Sequence, residues 1–283
     1  MAAMGARAVL RRGGARLRLA AACAALLLAA LAPTAAPAGA AGGAADRALW
    51  AARVGLQVGH WHIEDLPDEQ AARLRGQTGG SGGGYREVDV NLAVVTRLAP
   101  LLEARGITVD ILPARVPAGY RADLFLAVHC DANPDPAARG YKVARYAASP
   151  DPARDDALVA ALSAAYAAAT DLPRDPTITR GMAFYYAYNR LRYETVIGRE
   201  TAGAIVELGF LTNPADRALL VAHQDLVARA LADGIVRYLT RPGALPPALP
   251  PGAALTPCAP SDACPPDGDD PPRPPTWAAY LEP

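Results

Sequence analysis

Ala204-Ile-Val-Glu-Leu-Gly-Phe-Leu-Thr-Asn213, followed by Pro214, reads as a strand handed directly to a helix. Residues 204–208 have the length and apolar content of a buried strand, and Asn213-Pro214 supplies an N-cap followed by proline at the first helical position. Working outward, the same alternation recurs. Strands are expected at 54–58, 107–112, 124–128 and 141–146. A helix is expected at 87–105, where Val88, Leu92, Val95, Ala99 and Leu102 form one stripe and Gly106 stops it. Ser149-Pro150 opens an alanine-rich helix to about residue 169, and a last helix runs over about 225–239. Strands alternating with helices imply an α/β fold: a single domain with a mostly parallel, twisted sheet and helices on both faces.

The ends of the chain do not belong to that pattern. Residues 1–40 carry arginines at 7, 11, 12, 16 and 18, then a Leu/Ala-rich run, then Ala36-Pro-Ala38 and Ala38-Gly-Ala40. Such a stretch is expected to be a cleaved secretory signal, too short and alanine-rich to span a membrane stably. Residues 41–49 are a short linker. From 242 to 283 the composition turns to Pro, Gly and Ala with Asp267, Asp269 and Asp270, which is expected to stay disordered. Residues 50–241 remain, the right size for one domain. Cys258 and Cys264 are placed for a disulfide in an oxidising compartment, whereas Cys130 reads as a small buried group. The expected destination is the periplasm, the wall or the outside.

Charge narrows the function. Removing five signal arginines from 28 basic residues leaves 23 against 28 acidic ones, a net charge of −5. That balance argues against nucleic acid as a partner. Lys142 is the sole lysine beside 27 arginines, which reads as coding bias.

The chemistry-bearing residues fall at element ends. Val54-Gly-Leu-Gln-Val-Gly-His60 and Leu124-Phe-Leu-Ala-Val-His129 finish in histidines, Glu87 starts a helix, and Glu207 interrupts an otherwise apolar strand. In open α/β sheets the carboxyl ends of strands converge on the binding crevice. Two neutral imidazoles and one carboxylate leave Zn²⁺ one open position, at which water reaches a pKa of about 7. Each residue also has a structural reading: a hydrogen-bonded histidine, a helix-start carboxylate for Glu87, a buried ion pair of Glu207 with Arg192 or Arg199. His62, two residues from His60, extends it to a His-x-His pair, yet four histidines are too few for a His-rich two-metal site. His62 is therefore expected to line the groove and His223 to be solvated. Gly79-Gly-Ser-Gly-Gly-Gly84 lacks the Lys-Ser/Thr of a phosphate loop and reads as flexible cover. Tyr185, Tyr186, Tyr188 and Asn189 form an aromatic, amide-rich stretch that suits either ligand contact or plain packing.

Four motifs in order carry a resemblance. Gly59-His60, Glu87-Val-Asp-Val-Asn91, Ala122-Asp-Leu-Phe-Leu-Ala-Val-His129 and Glu207-Leu-Gly-Phe-Leu-Thr-Asn213 resemble the zinc-dependent N-acetylmuramoyl-L-alanine amidases of the type 3 family, bacterial cell-wall hydrolases. The resemblance implies His60, Glu87 and His129 as ligands of one Zn²⁺ and Glu207 as the catalytic proton carrier. It implies peptidoglycan, both glycan strand and stem peptide, as the substrate, and leaves room for a regulator. Departures lie at the rim: Trp61-His-Ile-Glu-Asp65 follows the first histidine, Leu112-Pro113 replaces Thr-Arg, and Ala127-Val-His-Cys-Asp-Ala-Asn133 surrounds the third ligand. A silent wall-binding or regulatory module, and a zinc peptidase or deacetylase of another envelope polymer, are the competing readings.

Overall fold

A computed structural model describes Leu49 and residues 51–242. The signal, the linker up to residue 48, the tail and the Cys258/Cys264 pair lie outside the described residues.

Five strands form the main sheet: β1 (Arg53–Val58), β4 (Thr108–Leu112), β5 (Leu124–Asp131), β6 (Lys142–Ala144) and β7 (Ala202–Phe210), in the order β4-β1-β5-β7-β6. Pairings β1–β4, β1–β5 and β5–β7 are parallel, and only the edge strand β6 runs antiparallel. Two two-residue strands, β2 (Ser81–Gly82) and β3 (Tyr85–Arg86), make a separate hairpin. Near-unbroken burial along β5 and β7 follows from a parallel sheet covered on both faces.

Side-chain parity sorts the two faces. Val54, Leu56 and Val58 of β1, Leu124, Leu126, Val128 and Cys130 of β5, and Ala204, Val206 and Leu208 of β7 share one core. Against it lie α2 (Glu87–Glu103), α3 (Pro152–Thr170) and α6 (Gln224–Leu239), with α3 and α2 both packed on α6. The alternate residues Phe125, Ala127 and Ile205 join a second core under the short helices α1 (Asp68–Leu74) and α4 (Arg180–Ala183) and the tyrosine-rich segment that follows α4. Both faces are thus helical, but unequally: long helices on one, short turns and loops on the other. Since Gln57, His129 and Glu207 have the parity of the second face, the functional groups lie under loops and not under packed helices.

Several boundaries bear out the sequence signals. The α2 helix ends before Gly106, whose φ of 81° is the left-handed conformation that glycine adopts without strain. Asn213 Oδ1 accepts from the amides of Ala215 and Asp216 to cap α5 (Pro214–Ala222). Helix α3 starts two residues later than expected. Asp151-Pro152 repeats the cap-plus-proline signal, and Asp151 accepts from the Arg154 amide. Ser149 Oγ instead donates to Asp155 Oδ2 at 2.5 Å. Among the described residues no helix is long and apolar enough to cross a membrane.

Candidate metal centre

The site opens where the chain reverses direction across the sheet. From β1 the chain reaches β4 on one side, then returns past β1 to β5 on the other, so the carboxyl ends of β1 and β5 frame a crevice. His60 lies two residues beyond β1 and His129 near the end of β5.

Gly59 explains the Gly-His pair. A Cβ there would lie 2.4–2.6 Å from three atoms of the His129 ring, so only glycine lets the two histidines approach. His60 takes φ 64°, which turns its ring inward against His129 with centroids 4.9 Å apart and planes nearly perpendicular. Asn91, one helical turn after Glu87, donates to the Gly59 carbonyl and ties α2 to this turn.

Glu87 is the first residue of α2 and is nearly fully buried. Its Oε2 accepts from the Gly80 amide at 2.7 Å, while Oε1 accepts from the Cys130 amide at 3.2 Å and from Asn91 at 3.4 Å. The glycine run is therefore not flexible cover. Gly82 packs where a Cβ would meet the Leu211 carbonyl at 2.1 Å, and Gly80 and Glu87 also bond backbone to backbone. Those glycines fold a hairpin against the 211–212 turn and fix the Glu87 carboxylate.

Both imidazoles are held by their outer nitrogens. His60 Nδ1 lies 2.7 Å from the Gln77 carbonyl, which only accepts, so the proton sits on Nδ1 and Nε2 faces inward. For His129 the chain is longer. Gln57 Nε2 donates to the Ala114 carbonyl, so Gln57 Oε1 accepts from the Tyr185 hydroxyl at 2.8 Å. That hydroxyl then accepts from His129 Nε2–H at 2.9 Å, leaving Nδ1 with its lone pair turned inward.

Three acceptors consequently converge. Glu87 Oε1 lies 3.2 Å from His60 Nε2 and 2.9 Å from His129 Nδ1. The three ligand atoms all lie within 4.8 Å of one another. A tetrahedral ion with bonds of about 2.0–2.1 Å separates its ligand atoms by about 3.4 Å, so this donor set fits a small divalent cation. The three groups also set one another's proton affinity. Burial pushes the Glu87 pKa up, but in the metal-free protein the hydrogen bonds and charge that His129 and His60 supply when protonated overcome it and hold the carboxyl well below its usual range. Burial lowers His60, yet Glu87 lifts it net above 6.5, while burial dominates at His129 and lowers it.

Glu207 stands in register with His129 on the neighbouring strand, beside a register shift of β5 between His129 and Asp131. Its Oε2 is buried without a hydrogen-bond partner. Burial first, then the charges of Glu87 and Asp131, push its pKa well up, and Lys142 opposes them. Lys142, across β6, reaches Asp131 at 2.5 Å and Asp175 at 3.4 Å.

The remaining expected positions divide: His223 is solvated as expected, whereas His62 departs. His62 does not join the metal group or line the pocket: with φ 53° it turns outward, half exposed, toward Glu64. Exposed His223 sits in the break between α5 and α6. Tyr188 is packed in the second core and donates to the Ala204 carbonyl, so packing is its role. Tyr185, Tyr186 and Asn189 line a cavity of about 180 Å³ that His60 and His129 border. Sequence reasoning did not reach the roles of Gln57, Tyr185, Gln77 and Lys142. The one signal was Gln57 itself, a polar residue at a strand position with apolar neighbours.

The family model of N-acetylmuramoyl-L-alanine amidases matches residues 54–237. Similar solved structures include the following amidases, of which the first reaches a TM-score of 0.50. The apo form of Ami1 from Mycobacterium abscessus is 19% identical with a TM-score of 0.50, covering 66% of this chain and 98% of its own. Ami1 from Mycobacterium smegmatis is 20% identical (TM-score 0.48, 66% and 96%), and AmiC2 of Nostoc punctiforme 20% (0.46, 68% and 98%). No curated protein matches the chain. With its four ordered motifs folded around one carboxyl edge, this chain belongs to the N-acetylmuramoyl-L-alanine amidases, the hydrolases that cut the amide between N-acetylmuramic acid and L-alanine in peptidoglycan.

Proposed function

We propose that His60, Glu87 and His129 hold a single Zn²⁺ and that Glu207 carries the proton during hydrolysis, in a protein exported to the wall by its basic-then-apolar first 40 residues. The observation that carries this is the convergence of three lone-pair donors within 4.8 Å, their outer nitrogens tied back to Gln77 and Tyr185. When bound, a divalent ion supplies Lewis-acid activation of water and of the amide carbonyl.

The residues then divide the work. Glu87, anchored by the Gly80 and Cys130 amides, offers a fixed anionic ligand at the positive end of α2. Gln57 and Tyr185 hold His129 in one tautomer and orientation. Glu207 takes a proton from the attacking water and delivers it to the leaving amine of L-alanine. Its Oε2, unpartnered in a buried place, is kept available for that transfer, and the raised proton affinity suits the acid half of the cycle. A module that only binds the wall has no use for a carboxylate oxygen buried without a partner, which disfavours the silent alternative.

The test is zymography on purified peptidoglycan with and without a chelator, followed by mass analysis of the released fragments. Chelator-sensitive release of peptides with a free L-alanine amine supports the proposal. Glycan deacetylation or cleavage within the stem peptide overturns it.

A further inference from the structure

The cavity beside the metal centre is charged in one sense. Arg73 of α1 and Arg180 of α4 line it together with His60 and His129, above an apolar floor that includes Ile63 and Phe184, and no aspartate or glutamate lines it. The Arg73 guanidinium makes no hydrogen bond or ion pair among the described residues. Yet the helix that presents it is firmly placed. Glu69 accepts from the amides of Glu194 and Thr195 at 2.8 Å each, and Gln70, buried, donates to the Thr195 carbonyl at 2.8 Å. Arg73 follows one turn after this clamp. Thr179 caps α4 by accepting from the Met182 amide, which sets Arg180 at the first position of that helix.

Such a pocket, apolar below and cationic at the rim, selects a short segment bearing an anion near the scissile bond. Neutral sugars of a glycan strand offer guanidinium groups only uncharged hydroxyl and carbonyl acceptors, whose hydrogen bonds are about half as strong as those of an anion. On the peptide side, L-alanine is followed by D-glutamate joined through its γ-carboxyl, which leaves the α-carboxylate free unless it is amidated. We infer that this pocket receives the free α-carboxylate of the second stem residue, with Arg73 and Arg180 as the specificity-determining groups, so the protein discriminates acidic from amidated stems. The identity of the ligand rests on the proposed amidase reading; the anion selectivity does not.

The test uses two muropeptides, muramoyl-L-alanyl-γ-D-glutamyl-diaminopimelate and its D-isoglutamine counterpart, titrated calorimetrically into the metal-free protein, where no turnover occurs. Loss of a charge-assisted contact corresponds to about tenfold in affinity, so the wild type should prefer the acid form by about tenfold or more. Arg73→Gln, a change at an exposed position, should bring the two affinities within about threefold of each other. Arg73→Lys should keep part of the preference. Arg180→Gln should act in the same direction, and if it fails to fold, the Arg73 pair alone decides. Equal binding of the two muropeptides by the wild type, or a preference unaltered in Arg73→Gln, overturns the inference. The zinc-loaded wild type assayed on both muropeptides separates the two claims: hydrolysis without discrimination sinks the pocket assignment alone. Selective binding with no hydrolysis upholds the pocket and sinks the catalytic reading.

Discussion

Gly59→Ala isolates the geometry of the metal centre in one methyl group. Gly59 does not occupy the left-handed region, so alanine brings no backbone strain of its own. Its Cβ would, however, lie 2.4 Å from His129 Cε1 and 2.6 Å from both ring nitrogens. Ordinary contact begins near 3.4 Å, so the ring must retreat by about 1 Å, whereas metal–ligand distances tolerate about 0.2 Å. His129 cannot retreat freely, because its far side meets Tyr185, with ring centroids 5.3 Å apart and the Nε2–hydroxyl bond between them. One of three ligands is therefore lost. Since removing only a supporting partner of a ligand weakens metal binding by about 10–100-fold, loss of the ligand itself should exceed about 100-fold. Competition against a chromophoric chelator measures the affinity, and melting with and without zinc gives an independent reading through mass action. Gly76→Ala, whose added methyl would meet nothing within 4 Å, serves as the control and should change neither. Zinc affinity in Gly59→Ala within about threefold of wild type would refute the reasoning.

Three further outcomes follow from the same contacts. Tyr185→Phe leaves His129 Nε2–H and Gln57 Oε1 buried without a partner, so it should weaken zinc binding about tenfold and lower the stability of the metal-free protein by about 1–3 kcal/mol, read by chelator competition and chemical denaturation. Zinc affinity should fall as pH falls below the raised pKa of His60, since its proton must leave before Nε2 can bind; calorimetry across about pH 5.5–8 in several buffers should show proton release that grows with acidity. The sign is opposite for the metal-free fold, where the His60–Glu87 contact contributes fully below about 6.5 and is lost as pH rises through the folded value. Leu56→Ala, at a fully buried position on the long-helix face of β1, should cost about 2–5 kcal/mol in urea denaturation while leaving zinc affinity intact.

The long periodic elements were legible because their burial is written in side-chain order. The 204–208 run and the apolar stretch before His129 each carry a strong local signal, and the alternation along β5 and β7 puts His129 and Glu207 on one face. The expected α2 stripe is only partly the buried one: Val95, Ala99 and Leu102 are buried, but Val90, Val94 and Leu98 join them in place of the half-buried Val88 and Leu92. What escaped was decided by partners distant in the chain. Helix α1 is only seven residues long, and it is held by Glu69 and Gln70 bonding to a loop about 125 residues away. The glycine run has no side chains from which to read packing, and its rigidity comes from the Leu211 carbonyl and the Glu87 carboxylate. The pairing of Gln57 with Tyr185 spans 128 residues and forms only when β1 and the tyrosine segment meet. Lys142, read as an accident of composition, is buried between Asp131 and Asp175 beside the Glu207 strand.

Zinc content and turnover measured on the same preparations of wild type and Glu207→Gln put the central assignment to its most direct test. Both proteins should carry one zinc per chain, and only the wild type should release peptides from peptidoglycan, the variant falling by at least about 100-fold. Wild-type turnover in Glu207→Gln, or a wild type that takes up no zinc at saturation, would contradict it.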